Sequence, residues 1–421
     1  MMEYRRNGLK FLIILAFKNL TRYKRRTLIT CSAIAFGLML FLLFDSLIIG
    51  MQKESERNLR DYETGYLRLY ANDYYAQRLS RPLDIAIEQP DVLVQTLADA
   101  GYRASKRVVF LADMILSSSD FGEDGNMNVE VTAVDFPQDF KVFSFKNTLM
   151  EGRFPSPNAN EVVIGSWFAQ DIGAKVGYTI SLVTRGNGGF YQVMDLQIVG
   201  ILNCPNPNVN RSLLMMDYRT ADYYLALDGS ATEIDVALSS LADLEHAAKQ
   251  IQLLAPDCTL MTWKELASDY FAFAAADEGS ADLMLVIVFI ITVVGISNTM
   301  LMAVQERFRE LGMMRALGMR DGSLYLAFLL EAGGIGLIGS VAGMLLASFF
   351  NVFLVTYGLD FSFLMRSMDM GYRVSGIMKG VWSFKSYLLT LLTGMFLPML
   401  IAYFPTRRAL RLNIPDCLHH Q

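Results

Sequence analysis

The stretch that decides the fold class is Leu283-Met-Leu-Val-Ile-Val-Phe-Ile-Ile-Thr-Val-Val-Gly-Ile-Ser-Asn-Thr-Met-Leu-Met-Ala-Val304, twenty-two residues without a charge. A bilayer core about 30 Å thick takes roughly 20 apolar residues as a helix. Helices in soluble cores rarely sustain so long an uncharged run. Three other stretches match it: 28–50 with one charge, Asp45; 323–357 with one, Glu331; and 386–404 with none but with Pro398. The first has the basic flank of a signal peptide, yet its run is too long and no small-residue cleavage pattern follows. The sequence therefore predicts an α-helical integral membrane protein with four transmembrane helices and a large α/β extracytoplasmic domain.

Composition agrees. The chain has 421 residues, 53% apolar and 19% charged, against about 45–50% and about 25% for an average domain. Its mean hydropathy is +0.30. That tilt excludes a disordered chain and argues against an ordinary soluble enzyme. Four Cys in this length exclude a disulfide scaffold, three His leave little for a metal site, and a net charge of −5 argues against nucleic acid.

The net charge hides a segregation. Arg5, Arg6, Lys10, Lys18, Arg22, Lys24, Arg25 and Arg26 precede the first span; Arg307, Arg309, Arg315 and Arg320 lie between spans two and three; Arg407, Arg408 and Arg411 follow span four. Residues 51–280 instead hold 18 Lys/Arg and 32 Asp/Glu. Basic segments stay in the cytoplasm, so both termini are expected inside and 51–280 outside. The predicted order is a cytoplasmic segment 1–26, span 27–50, outer domain 51–280, span 281–305, cytoplasmic helix 306–322, span 323–357, outer loop 358–385, span 386–405 and tail 406–421. Within 9–23, Phe11, Leu12, Leu15, Ala16 and Leu20 recur near helical spacing with Lys10, Lys18 and Arg22 between them, which suits an amphipathic helix on the inner membrane face.

In the outer domain, β-branched or alternating runs predict strands at 66–70, 107–116, 127–134, 161–164, 179–183, 193–201, 233–238 and 259–262. Helical patterns fall at 91–100, 166–172, 218–226 and 241–254. Arg185-Gly-Asn-Gly-Gly-Phe190 reads as a hairpin turn and Cys204-Pro-Asn-Pro-Asn208 as a loop. No catalytic constellation appears, and His246 is the domain's sole histidine. Asp120, Glu123 and Asp124 lack the ligand spacing of a calcium loop and read as a solvated turn. Cys204 and Cys258 share an oxidising compartment and are a candidate pair.

The most specific passage is the turn between spans two and three, Gln305-Glu-Arg-Phe-Arg-Glu-Leu-Gly-Met-Met-Arg-Ala-Leu-Gly318. A short charged helix held between two spans is a lever. Leu311, Met314 and Leu317 share a face suited to a groove on a partner, and Glu306, Arg307, Glu310 and Arg315 suit salt bridges that fix its angle. In the membrane, Asp45 and Glu331 are functional candidates, since ionisable groups there are costly. The stripe Gly336, Gly339, Gly343 matches the small-residue spacing of close helix contacts.

This passage resembles the FtsX-like family of ABC transporter permeases, which includes the MacB type and the LolC/LolE lipoprotein-releasing type. The resemblance rests on Glu306-Arg307, Glu310-Leu311-Gly312 and Arg315-Ala316-Leu317-Gly318. It extends to Ala16-Phe-Lys-Asn-Leu-Thr-Arg22, Glu151-Gly-Arg-Phe154, Glu161-Val-Val-Ile-Gly165, Gly173-Ala-Lys-Val-Gly177, Tyr403-Phe-Pro-Thr-Arg-Arg-Ala409 and Arg411-Leu-Asn-Ile-Pro415. It implies a bacterial inner-membrane permease working as a homo- or heterodimer, with the 306–318 helix as coupling element to a cytoplasmic ATPase dimer. This chain holds no Gly-x-x-x-x-Gly-Lys-(Ser/Thr) loop, so ATP and magnesium are expected on the partner ATPase and no cofactor on this chain. Trp263 and Glu265 look like the LolC/LolE type, which implies release of a lipoprotein or lipid-like substrate to a periplasmic chaperone. The short hairpin around 185–190 departs from that type's recruiting arm. MacB-like export through an adaptor and an FtsX-type signalling scaffold are the alternatives.

Overall fold

The computed structural model describes residues 24–121, 125–275, 313–363, 373–374 and 376–410, with single positions 14, 16, 18, 20, 22, 283, 286, 287 and 290. The chain divides into two compact units: Met1–Met51, Ala275–Asp360 and Ile377–Gln421 form the first, and Gln52–Ala274 with Phe361–Gly376 form the second.

Unit one is helical. Among the described residues, three helices are long and apolar enough to cross a membrane, Thr27–Thr64, Asp321–Thr356 and Phe384–Phe404. They lie within α1 (Lys24–Leu59, continued by a π-helical turn Arg60–Thr64), α9 (Asp321–Thr356) and α10 (Phe384–Leu410). The span expected at 281–305 lies, except for 283, 286, 287 and 290, outside the described residues. Cys31 and Ile34 of α1, Ala332 and Ile335 of α9, and Ile401 and Ala402 of α10 share one core with Leu20. In the segment before α1, Ala16 and Leu20 are buried while Lys18 and Arg22 are exposed, the two faces of an amphipathic helix.

Unit two is a mixed α/β domain. Its strands are β1 (Leu67–Ala71), β2 (Arg103–Leu116), β3 (Gly125–Val134), β4 (Leu149–Gly152), β5 (Glu161–Gly165), β6 (Thr179–Arg185), β7 (Tyr191–Leu202), β8 (Leu214–Asp217), β9 (Glu233–Ala237) and β10 (Cys258–Thr262). They hydrogen-bond in the order β10-β1-β9-β2-β3-β8-β5-β7-β4, and β6 bridges β2 and β7. That bridge closes β2, β3, β8, β5, β7 and β6 into a ring. Its interior is apolar: Phe110, Met114, Val131, Ile164, Leu182, Leu196 and Met216 share one buried cluster. β3–β8 and β5–β7 run parallel, while the β6–β7 hairpin pairs Arg185 with Tyr191 across the expected turn.

The remaining strands form an open wing. Leu67, Leu69, Ile234 and Val236 face α2 (Pro90–Asp99) and α7 (Leu244–Leu254) through Leu97, Ala247 and Ile251. Period-2 alternation sends Arg68, Tyr70, Glu233 and Asp235 to the opposite face.

Three expectations are corrected. The 204–208 loop in fact starts a helix, α5 (Pro207–Ser212): the Asn206 side chain accepts from the Asn208 and Val209 N–H groups and Pro207 takes the first turn, where a missing N–H costs nothing. β4 and β8 were not expected. Cys204 and Cys258 are both free and sit in separate cores; burial pushes the Cys204 thiol up to about 12. Asp120 accepts from the Thr179 N–H at 3.0 Å, and residues 122–124 lie outside the described residues.

Candidate functional site

The described helical residues that precede α9 end in a defined stop. Residues 313–316 are helical. The Gly318 N–H bonds the Arg315 carbonyl and the Met319 N–H bonds the Met314 carbonyl, both at 3.0 Å, and Gly318 adopts φ +90°. This is a Schellman stop, which wants glycine because a side chain is strained at positive φ. Its apolar contact is present too: Met314 and Met319 pack against Leu324 and Phe328 of α9. Arg315 Nε lies 3.0 Å from Asp321 Oδ1, so the helix end and the first residue of α9 are ion-paired.

Of the coupling residues read from the sequence, Glu306, Arg307, Glu310, Leu311 and Gly312 lie outside the described residues. Met314 is partly buried against its own chain, whereas Ala316 is exposed and Leu317 is 89% exposed. Among the described residues of this segment, Met313 is 48% exposed as well.

Within unit one, the glycine stripe of α9 faces both neighbours. A Cβ at Gly336 would meet Pro398 Cγ of α10 at 2.7 Å, one at Gly339 would meet Ile34 Cβ of α1 at 2.9 Å, and one at Gly343 would meet the Ala35 carbonyl oxygen at 2.7 Å. The helices approach so closely because these positions lack side chains. Glu331 is buried on α9. Asp45 is half-buried, and its Oδ2 is a buried oxygen without a hydrogen-bond partner. Beside it, Ser46 Oγ accepts from the Val381 N–H at 2.9 Å and lies 2.7 Å from Asn351 Oδ1.

Unit two contains a buried ion network that the sequence reading did not single out. Register places Arg68 of β1 opposite Asp235, and Arg107 of β2 opposite Glu233. Arg68 Nε donates to Asp235 at 2.6 Å, and Arg107 is bidentate to Asp139, at 2.7 and 3.0 Å. Burial pushes the Asp235 carboxyl up to about 7, Arg68 opposing and Glu233 reinforcing the rise. The network borders a cavity of about 270 Å³ lined also by Glu63, Arg81, Glu130 and Asn208. The available signal was Glu233-Ile-Asp235, two acids alternating with apolar residues inside a strand. Among the described residues, no group of three or more His, Cys, Asp or Glu is arranged to hold a metal ion.

Trp263 and Glu265 have a local explanation. Thr262 and Glu265 form a reciprocal capping box, the Thr262 N–H donating to Glu265 at 2.7 Å. Trp263 is buried with the Arg60 guanidinium 4.5 Å over its ring.

The apolar helices and the mixed α/β unit define a multi-span membrane protein with a large folded domain. A family model described as the FtsX-like permease C-terminal domain matches residues 283–414, and one described as the MacB-like periplasmic core domain matches 27–254, more than half of the chain. The chain belongs to the FtsX-like, MacB-type family of ABC transporter permeases. The macrolide export ATP-binding/permease protein MacB of Campylobacter jejuni is 33% identical over 128 residues, 30% of this chain and 17% of that protein. MacB of Escherichia coli is 23% identical over 420 residues, 95% of this chain and 59% of that protein. The lipoprotein-releasing system transmembrane protein LolC of Neisseria meningitidis is 21% identical over 334 residues, 76% of this chain and 75% of that protein. The chain spans 17–34% of the length of the first macrolide-export relatives it matches. A crystal structure of the periplasmic region of MacB from Actinobacillus actinomycetemcomitans aligns with a TM-score of 0.35 at 12% identity, covering 50% of this chain and 95% of that one.

Proposed function

We propose that this chain is the membrane component of an inner-membrane ABC transporter that passes ATP-driven movement to its extracytoplasmic domain, and that the work done is release of lipoproteins toward the outer membrane. On this reading a cytoplasmic ATPase dimer, on a separate chain, holds ATP and magnesium, a second permease chain completes the membrane part, both termini are cytoplasmic, and a periplasmic chaperone takes the substrate. The observation that carries it is the helix end at Gly318: a fixed stop plus the Arg315–Asp321 pair joins a surface helix to α9, so a push on that helix reaches a span. The LolC relative, 75% of whose length aligns, supports lipoprotein release. Export with a periplasmic adaptor is the second reading, favoured by the higher local identity to MacB relatives.

The test is to purify the chain with its ATPase, load it with an acylated protein and add ATP with a carrier chaperone. ATP-dependent discharge to the carrier is the expected result. Hydrolysis without discharge ends the lipoprotein reading, and hydrolysis that responds instead to an adaptor protein replaces it with export. Failure to associate with any ATPase ends the permease reading itself.

A further inference from the structure

The connection between α9 and α10 belongs in part to unit two: Phe361–Gly376 clusters with Gln52–Ala274, although the chain leaves unit one at Asp360 and re-enters it at Ile377. The neck of this connection is closed by the Phe361 N–H donating to the Gly376 carbonyl at 2.7 Å. Inside unit two its anchor is Arg373, whose every polar part is engaged. The backbone N–H donates to Ser55 Oγ at 3.0 Å. The backbone carbonyl accepts from Asn58 Nδ2 at 2.6 Å. Ser55 and Asn58 are three residues apart on α1, hence on one face, and both are fully buried. The guanidinium lies 3.4 Å from Glu63 Oε2 and 3.2 Å from Asp269 Oδ2. Asn206 Nδ2 donates to the same Glu63 oxygen at 2.8 Å. With the Asn208 amide oriented to satisfy both groups, its oxygen accepts from both Arg373 terminal nitrogens at 3.1 Å.

This exceeds what holding a surface loop requires. The Arg373 side chain is only 7% exposed, and burying a guanidinium is costly unless paired and hydrogen-bonded. Here the two carboxylates come from opposite ends of the domain sequence, Glu63 just after α1 and Asp269 just after α8 (Trp263–Leu266), while the backbone bonds come from α1. One residue of the α9–α10 connection thus gathers both chain ends of the domain.

We propose that Arg373 is a positioning residue for coupling: it pins the α9–α10 connection to the extracytoplasmic domain, so that displacement of α9 and α10 reaches the domain through this pin as well as through α1. The proposal rests on the permease reading above. It makes the pin part of the transmission, where a stabilising tether would leave nucleotide responses intact.

The experiment uses the full chain with its copurified ATPase in lipid nanodiscs. Hydrogen exchange across 52–64 and 258–274 is compared with and without a nucleotide-trapped ATPase. In the unsubstituted complex, trapping is expected to change exchange in both segments. In Arg373→Ala and Arg373→Lys that change should shrink by at least about threefold, while ATP hydrolysis persists. A Ser55→Cys with Arg373→Cys variant supplies the control. Ser55 Oγ accepts from the Arg373 N–H at 3.0 Å, so where the disulfide is verified by mass spectrometry to form between the two cysteines, oxidation should restore the response and reduction should remove it in the same protein. This comparison decides the matter even where Arg373→Ala folds poorly. A full nucleotide response in Arg373→Ala or in the reduced double-cysteine variant overturns the pin and leaves the permease reading standing. A complex whose unsubstituted form hydrolyses ATP with no response in the domain overturns both.

Discussion

Asp235 faces Arg68 on β1 and Ser105 on β2, and its Oδ2 has no hydrogen-bond partner. Its carboxyl is raised from 3.8 to about 7, burial being the largest cause. The folded domain therefore takes up this proton more readily than the unfolded chain does. The stability this contributes is complete below the ordinary carboxylate range and is lost as pH rises through about 7. Protection of β9 amides, corrected for intrinsic exchange, should fall between pH 5 and pH 8. Asp235→Asn should flatten that fall; an unchanged slope in the variant would assign the pH dependence to other groups. Asp235 is also a measure of what one-dimensional reading misses. Its partners come from β1 and β2, far away in sequence, and only the pairing of β9 between those strands brings them together. Glu233 and Asp235 look like ordinary surface acids until both faces of β9 are known to be covered.

Elements were legible in proportion to their periodicity. The eight strands expected from alternation are all present, and β2 extends four residues further back, to Arg103. β8 was not seen because Leu214-Met-Met-Asp is buried at every position and has neither alternation nor β-branching to mark it. α5 was hidden by its own signals: Asn206-Pro207 reads as a turn, yet the same two residues are a cap and a first-turn proline. The glycines of α9 were visible as a pattern, but which helix each meets was not. Gly339 meets α1 and Gly336 meets α10, so one stripe serves two neighbours. Gly339→Leu should force α1 away from α9. With no room for Cβ, a cost of about 1–3 kcal/mol is expected, seen as a lower melting temperature of the chain in detergent. The control Leu345→Ala, on the same helix at a position 68% exposed, should leave melting nearly unaltered. Equal effects at both positions would remove the packing argument.

For the molecule as a whole, charge segregation predicts an orientation, and two exposed positions make that prediction measurable. Leu79 in unit two is 87% exposed and Leu317 beyond the surface helix is 89% exposed. Cysteine at Leu79 should react with a membrane-impermeant maleimide on spheroplasts, and cysteine at Leu317 only after the membrane is breached. The reverse pattern would invert the topology.

The sheet order also imposes a timetable on biosynthesis. β10 hydrogen-bonds to β1, so the first strand made waits for the last. Even then the domain is unfinished, because Arg373 follows β10 by about a hundred residues, roughly 5–20 s of translation at 5–20 residues per second. Until it arrives, Ser55, Asn58 and Glu63 lack their partner. A nascent chain stalled after the sheet but before Arg373 would leave that polar seam open in a domain whose strands are otherwise all made.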